Sequence, residues 1–394
     1  MKTIRCLLLI VLSLFLFWKS FEVFNTNAIP VDDFVAYWAA ARLQIQGQNP
    51  YTPALILDVE RAAGSREREP LVMLNPPWTL VFLLPFGMVA YPVGRIAWLL
   101  TAFFAVVLGT WWAWQVYGGS SSRSVWVAGL IAISFLPVWV VLALGQIDPL
   151  ILAGLAGFLY FENRSHHGLA GACIVLMTVK PHLFYLFWIA LILWVFEARR
   201  WSVLIGAVLA GMVAVTLAAA ANPSVMFQYL EVVLNQPPPL SWLTPTIGTF
   251  LRLQFGMDRH WLQFIPMALG IAWLLLRWHR WRRAWSWAAQ LPLLVVVSLA
   301  TTSYVWFYDQ VVLLPALIQI AATGWGIWPV RRRIWVFALF IGLNSVLLLL
   351  VARRLPPLAF LWSFSAWVIF YLVFRQRIHG QLADVVEPHG LSAQ

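Results

Sequence analysis

The stretch RRRIWVFALFIGLNSVLLLLVA, residues 331–352, decides the class of this protein. Three arginines precede nineteen residues, 334–352, that carry no acidic or basic side chain. A helix rises about 1.5 Å per residue and the hydrocarbon core of a bilayer is about 30 Å thick, so a segment of this length can cross it. The stretch therefore predicts a transmembrane helix with a basic flank.

Similar apolar stretches recur along the chain, which is 62% hydrophobic and only 10% charged. A soluble domain has about 25% charged residues, so this chain lacks the polar groups to cover a globular surface. Ten-residue segments of alternating polarity, typical of membrane β-barrels, do not occur. The sequence predicts a single all-α membrane domain over 1–394, with candidate spans at 6–24, 76–91, 94–116, 125–144, 148–161, 168–180, 183–197, 202–221, 261–277, 288–303, 307–323, 334–352 and 357–374.

The basic residues predict the orientation of these spans. They form short clusters between apolar stretches, near 199–200, 277–283, 331–333 and 375–377, and the net charge is +11. Clusters that alternate with spans indicate cytoplasmic loops and exclude a nucleic-acid-binding surface. Both termini are then cytoplasmic, which requires an even number of crossings, about twelve. One candidate span is therefore false, either 76–91 or 168–180, and the Pro-bounded 76–91 is the preferred choice.

The chain begins with Lys2 and Arg5, followed by an apolar run. No small-residue cleavage site follows, so we expect an uncleaved first helix and not a signal peptide. Cys6 and Cys173 both lie in apolar stretches and predict no disulfide. The protein is expected in the cell membrane as a multi-pass protein.

Two long polar interruptions, 25–75 and 222–260, are predicted as outer loops, the first carrying interfacial helices. Long loops in compact proteins are usually functional. In the first loop, Asp32 can accept hydrogen bonds from the amides at a helix start, whereas Asp33 shares a helix face with Tyr37. Asp33 is therefore a candidate general base for a hydroxyl group. The alternative is two solvated acids at a helix start.

Three further polar breaks interrupt apolar stretches. Lys180-Pro181-His182 combines a cation, a second donor and a helix start, which suits a phosphate group, although a lysine here can also reach the interface. Gly145-Gln146 precedes Asp148-Pro149, where Asp148 is interpreted as a helix cap and Gln146 needs a polar partner, such as a ligand. Tyr308-Asp309 joins two late helices, and Asp309 is either a cap or a site residue.

No phosphate-binding P-loop, dinucleotide fingerprint or paired Cys motif occurs in the sequence. A soluble nucleotide-sugar enzyme would need a Rossmann-like domain for which the chain has no room. If the protein is an enzyme, its activated substrate must arrive through the membrane. We expect no required cofactor, no metal and no nucleic-acid partner.

Taken together, these stretches resemble the polytopic glycosyltransferases of the GT-C class, in particular glycosyltransferase family 87. The resemblance covers most of the chain and depends on the order and spacing of several short motifs. They are Asp33-Phe34 with Tyr37, Ala40-Ala41-Arg42, Gly47, Pro50-Tyr51, Asn75-Pro76-Pro77, Leu84-Pro85, Gly145-Gln146, Lys180-Pro181-His182, and Ser303 with Tyr308-Asp309 before Leu313-Leu314-Pro315.

The resemblance implies transfer of a hexose such as mannose from a polyprenyl-phosphate donor to a hydroxyl of a lipid or glycan at the outer face, with inversion. It implies that an acid of the first loop is the base, either Asp33 or Asp32, and that Lys180 and His182 hold the donor phosphate. Further substrate contacts are assigned to Tyr37, Arg42, Tyr51, Asn75, Gln146, Tyr308 and Asp309. The alternatives are a lipid or polyisoprenoid-phosphate transporter without catalysis and a non-catalytic scaffold.

Overall fold

The computed structural model describes residues 32–118, 125–235 and 243–386, without the side chains of 325, 326 and 376–386. The predicted first span, 6–24, lies outside these ranges. The described residues form helices joined by turns and loops, and no β-strand occurs among them. The predicted all-α class is therefore confirmed.

The helices of the first half are α1 Phe34–Ile45, α2 Pro53–Ala62, α3 Leu80–Gly87, α4 Tyr91–Tyr117, α5 Val125–Ser134, α6 Leu136–Leu144, α7 Asp148–Glu162, α8 His167–Met177, α9 Tyr185–Ala198 and α10 Trp201–Ala221. Those of the second half are α11 Val225–Asn235, α12 Ile247–Phe255, α13 Ile265–Trp281, α14 Trp287–Thr301, α15 Leu314–Ile327, α16 Val330–Ala352 and α17 Leu361–Val386. Short 3-10 segments cover Pro77–Thr79, Pro181–Phe184, His260–Phe264, Arg282–Ala284, Phe307–Leu313 and Pro357–Phe360.

Seven helical segments among the described residues are long and apolar enough to cross a membrane. They are Tyr91–Tyr117, Pro181–Ala198, Trp201–Ala221, His260–Ala284, Phe307–Gly324, Val330–Ala352 and Pro357–Arg375. An eighth is added if α5 and α6, which meet at an angle of 62°, form one bent span. The protein is therefore a multi-pass membrane protein, whereas the predicted number of about twelve crossings is not confirmed.

The remaining apolar helices are short. Pro77–Gly87 and His167–Met177, which correspond to the two doubtful spans, both belong to this group, as does Trp287–Thr301. Eleven helical residues extend about 16 Å, roughly half of the bilayer core. Helix length therefore does not decide which of the two doubtful spans is false.

Glycines allow close contact between α8 and α10. A Cβ atom on Gly171 would overlap the carbonyl of Val203, and one on Gly206 would overlap the backbone of Gly168. Small residues permit such backbone approach between membrane helices. The two helices are thereby fixed against each other, directly before the Lys180 segment.

The first loop contains two helices, α1 and α2. Ten of the twelve residues of α1 are buried, so this helix lies inside the protein with no broad face left for a membrane surface. Gly87 of α3 lies directly against the backbone of Ala41 and Arg42. In α2, Ile56 and Glu60 are the buried residues. The predicted interfacial position of these helices is not confirmed.

Candidate active site

The N-terminus of α1 places two adjacent carboxylates in different surroundings. Asp32 Oδ1 accepts a hydrogen bond from the Phe34 amide at 3.1 Å, as predicted for an acid at the helix start, but the helix begins one residue later than predicted and Asp33 occupies its N-cap position. Its Oδ2 lies 2.7 Å from Nε of Arg95, and both side chains are less than one tenth exposed. Arg95 also donates to the carbonyls of Leu142 and Ala143, each at 2.9 Å. Asp32 is therefore held in a buried ion pair.

Asp33 has a different partner. Its Oδ2 accepts a hydrogen bond from Nε2 of Gln146 at 2.7 Å, and Oε1 of Gln146 accepts one from the Tyr37 hydroxyl at 3.0 Å. Oδ1 of Asp33 receives no hydrogen bond from any described residue. Two protein groups thus satisfy the Gln146 amide, so a ligand is not needed for that purpose, contrary to the sequence argument. One Asp33 oxygen remains available to a hydroxyl.

Burial raises the pKa of both carboxyls, since a charged group loses hydration there. It raises the pKa of Asp32 to about 6 despite the opposing effect of the Arg95 guanidinium. For Asp33, the hydrogen bond from Gln146 and the charge of Lys180 oppose the increase caused by burial. A raised pKa strengthens a carboxylate as a base.

Gly145 makes the contact between Gln146 and α1 possible. It ends α6 with a φ of +68°, a conformation that favours glycine. A Cβ atom there would lie 2.5 Å from Cβ of Phe34. The Gly145 carbonyl also accepts a hydrogen bond from Nε1 of Trp98 at 2.8 Å. This turn therefore places the segment between α6 and α7 in contact with the start of α1.

Lys180 lies between two carboxylates. Its Nζ is 2.7 Å from Oδ2 of Asp148 and 2.8 Å from Oδ1 of Asp309. The lysine side chain is 12% exposed and the carboxylates are 0% and 1% exposed, so water screens these charges little. Asp309 Oδ2 also accepts a hydrogen bond from the Trp306 amide at 2.6 Å, so it is both a cap and a partner of Lys180.

The interpretation of Asp148 as a helix cap is wrong. Helix α7 begins at Asp148 itself, and the side chain makes no capping hydrogen bond. One carboxylate oxygen binds Lys180 and the other, Oδ1, is buried without a hydrogen bond. One positive charge thus faces two carboxyl groups at this point.

His182 and Tyr308 complete the surroundings of Lys180. The His182 ring lies edge-on to Tyr304, with ring centres 5.4 Å apart, and its Nε2 is buried without a hydrogen-bond partner. Thr302 Oγ1 donates to the His182 carbonyl at 3.0 Å. Lys180 Nζ lies 5.2 Å from the centre of the Tyr308 ring. His182 is therefore a partly buried residue whose buried Nε2 atom has unused hydrogen-bonding capacity.

The structure brings seven of the predicted residues together. The charge of Lys180 acts on both Asp33 and Tyr37, and the charges of Asp148 and Asp309 act on Tyr37. The residues hydrogen-bonded to Gln146 and the residues paired with Lys180 are therefore adjacent. The polar cluster, as we call it, consists of Asp33, Tyr37, Gln146, Asp148, Lys180, His182, Tyr308 and Asp309. Only Asp148 among these eight was not predicted as a site residue.

Four predicted residues lie outside the polar cluster: Asp32, which pairs with Arg95, and Asn75, Tyr51 and Arg42. Asn75 Nδ2 donates to the carbonyl of Val179 at 3.1 Å, and the Asn75 carbonyl accepts from the Tyr51 hydroxyl at 3.4 Å. These two residues therefore support the backbone beside Lys180. Arg42 packs over Trp38 and donates to the Gly87 carbonyl at 3.4 Å. It lies about 13 Å from Asp33 along α1, too far to contact the same group.

Sequence reasoning missed Asp148 and Arg95. A signal for Asp148 existed, because a buried lysine requires opposite charge nearby and Asp148 lies in another of the polar breaks between apolar stretches. Arg95 precedes an apolar stretch, where a basic residue usually marks only the end of a span. Among the described residues, no group of three or more His, Cys, Asp or Glu side chains could hold a metal ion.

Comparison with known proteins identifies the family. The sequence model of glycosyltransferase family 87 matches residues 74–303, more than half of the chain. The chain belongs to glycosyltransferase family 87. No curated protein and no solved structure matches it. This family 87 member is therefore a multi-pass glycosyltransferase.

The matched segment contains only part of the polar cluster. It includes Gln146, Asp148, Lys180 and His182, while Asp33 and Asp309 lie on either side of it. In this family 87 glycosyltransferase, the candidate base is therefore contributed from outside the matched segment.

Proposed function

We propose that this glycosyltransferase moves a hexose such as mannose from a polyprenyl-phosphate donor to a hydroxyl of a lipid or glycan at the outer face of the membrane. The observation that carries the proposal is the Asp33 carboxylate. Gln146 binds one of its oxygens, the other is open, and Lys180 is close enough to act on it. A base and a cation thus adjoin in one largely buried polar cluster.

In the proposed step, the acceptor hydroxyl oxygen attacks the anomeric carbon of the sugar while Asp33 removes the hydroxyl proton. The bond between the anomeric carbon and the phosphate oxygen breaks, and its electron pair leaves with the polyprenyl phosphate. A single displacement inverts the configuration and needs one base. A positioned base contributes a factor of about 10²–10⁴ to the rate.

Asp33 fits this role better than Asp32. The Asp32 carboxylate is engaged by Arg95 and by the Phe34 amide, so removal of a proton by Asp32 would disrupt an ion pair. The Asp33 carboxylate gains a proton without losing its Gln146 contact, because one oxygen is sufficient for that hydrogen bond. We therefore assign the base to Asp33.

We assign the donor phosphate to Lys180 and His182. Two carboxylates already neutralise Lys180, so phosphate binding requires one of these contacts to open. A cation beside the phosphate stabilises the charge that develops as it leaves. The unpartnered Nε2 of His182 supplies a further donor when it carries the proton. Tyr308, Asp309, Tyr37 and Gln146 would line the sugar site.

The test compares three purified variants in detergent, with a polyprenyl-phosphate mannose donor and a lipid acceptor pool. Asp33→Asn is expected to reduce transfer at least 100-fold. Asp58→Asn, an exposed acid of the same loop, is the matched control and should retain full activity. Asp32→Asn should retain measurable transfer. Full activity of Asp33→Asn would falsify the assignment of the base.

The same assay separates the enzyme from a transporter. Transfer of sugar in detergent requires no membrane barrier, so a transporter cannot produce it. If the wild-type protein binds the lipid phosphate but releases no polyprenyl phosphate with any acceptor, a polyisoprenoid-phosphate transporter replaces the proposal.

A further inference from the structure

A second group of charges, the buried Arg375 and the partly buried Arg277, lies at the end of α13 and α14 that is remote from the polar cluster. Arg277 Nε donates to Oε1 of Gln290 at 2.8 Å, and Nη2 of Arg375 donates to the Ala289 carbonyl at 2.6 Å. The two acceptors belong to consecutive residues in the first turns of α14, so the guanidinium groups are neighbours. They are close enough for their charges to repel each other.

No carboxylate among the side chains that the structure describes forms an ion pair with either arginine. The acidic residue that reaches this end is Glu197, whose contact at 3.9 Å is with Arg282. Arg375 is only 9% exposed. A buried charge without an opposite charge is strongly unfavourable, and a second, partly buried positive charge beside it adds to the cost. An anion from outside the chain would remove this cost.

The two arginines also retain most of their hydrogen-bonding capacity. A guanidinium has five N–H donors in a planar fork, and one nitrogen of each arginine donates to a described residue. The fork matches the geometry of phosphate oxygens, which it can bind in pairs.

Aromatic rings fix the positions of both side chains. Arg277 lies 5.8 Å from the ring centres of both Trp273 and Trp281, and Arg375 lies 5.7 Å from that of Tyr371. The Tyr371 hydroxyl in turn donates to Oε1 of Gln319 at 2.6 Å. Tryptophan and arginine at the end of an apolar helix are typical of the headgroup region of a bilayer.

We propose that Arg277 and Arg375 form a binding site for a phosphate group, carried by the headgroup of an anionic membrane lipid. The site is distinct from the polar cluster. Gln290 marks the position of the two arginines and Thr302 marks that of His182. The two residues are twelve positions apart, which corresponds to about 18 Å along the direction of α14. A bound phosphate would join α13 and α17 by its oxygens, through Arg277 and Arg375.

The experiment measures thermal unfolding of the delipidated full chain in a neutral detergent. Phosphatidylglycerol is titrated against diacylglycerol with the same acyl chains, which lacks the phosphate. We expect phosphatidylglycerol, but not diacylglycerol, to raise the midpoint temperature of unfolding. Arg277→Gln and Arg375→Gln should increase the half-saturating lipid concentration at least tenfold, whereas Arg280→Gln, an exposed arginine on the same helix, should leave it unchanged.

Inorganic phosphate at matched ionic strength distinguishes the source of the anion. If it reproduces the stabilisation in an Arg277-dependent manner, the site binds phosphate but not specifically a lipid. Equal effects of the two lipids on the wild type, or an unchanged lipid response in both glutamine variants, overturn the proposal. If the glutamine variants do not fold, Arg277→Lys and Arg375→Lys keep the charge without the fork and should still weaken binding. These measurements do not depend on sugar transfer.

Discussion

Asp148 and Lys180 form a 2.7 Å ion pair in which the carboxylate is completely buried. A second carboxylate, Asp309, contacts the same ammonium at 2.8 Å. The three side chains come from the start of α7, the turn after α8 and a 3-10 segment. Their mutual arrangement therefore fixes three parts of the bundle as well as the polar cluster.

We expect Lys180→Met to lower the free energy of unfolding by about 3–5 kcal/mol, because it leaves two buried carboxylates without a counter-charge. Addition of Asp148→Asn and Asp309→Asn to this variant removes the charges and should recover part of the loss. Denaturant unfolding in mixed micelles measures the effect. The control is Glu197→Gln, whose exposed partner Arg282 lies at 3.9 Å, and a change below about 1 kcal/mol is expected. An equal loss in the lysine and glutamate variants would contradict the ion-pair interpretation.

Gln146→Leu should reduce sugar transfer about 10- to 100-fold, because Asp33 loses the group that orients it. The hydrogen bond from Gln146 lowers the pKa of Asp33, so its removal should move that pKa upward. A base acts in its deprotonated form, so activity decreases as the pH falls through this pKa. The acid limb of the pH profile should therefore move to higher pH in the variant.

The control for Gln146 is Gln254→Leu, on the exposed side of α12. It should leave both the rate and the profile unchanged. A Gln146→Leu enzyme with a lower rate but an unshifted acid limb would place the titrating group elsewhere, Asp32 being the first alternative.

Glu60 should make the stability of the first loop depend on pH. Its carboxylate accepts a hydrogen bond from the Leu71 amide at 3.1 Å, and burial raises its pKa to about 7. The folded pKa lies above the ordinary value of 4.5, so the contribution to stability is complete below about 4.5 and is lost as the pH rises through about 7. Glu60→Gln keeps the acceptor and should be more stable than the wild type at pH 8, by on the order of 1 kcal/mol, but not at pH 4.5.

Unfolding midpoints at the two pH values test the Glu60 prediction. Glu69→Gln, an exposed acid of the same loop, is the control and should behave as the wild type at both. A Glu60→Gln protein that gains nothing at pH 8 would show that the carboxyl is already ionised at little cost.

Gly171→Ala should destabilise the protein by about 1–3 kcal/mol, because the added methyl group overlaps the Val203 carbonyl across the α8–α10 contact. Gly211→Ala, in α10 and with no atom within 4 Å of the added Cβ, should be neutral or slightly stabilising. Thermal unfolding in detergent compares the two. Equal midpoints would mean that the helices separate readily at Gly171.

The resemblance to family 87 was sufficient to assign seven residues of the polar cluster to one predicted site, because several short motifs occur together in order along the chain. The pairing within the polar cluster was not predictable. Asp148-Pro149 has the pattern of a helix start, and this pattern gives no indication of the contact with Lys180. Gln146, the partner of Asp33, is 113 residues away in the sequence. Hydropathy located most long spans within a few residues but does not distinguish a short buried helix from a crossing.

The polar cluster has a consequence for biosynthesis. Lys180 and its Asp309 partner are separated by 129 residues, and the latter is followed by only α15, α16 and α17 in the described chain. A nascent chain that ends before residue 309 therefore carries one of the two carboxylates of Lys180 and lacks the 3-10 segment that covers it. In such a chain Asp148 alone balances the charge of Lys180, and the ammonium lacks its second carboxylate partner until Asp309 is inserted.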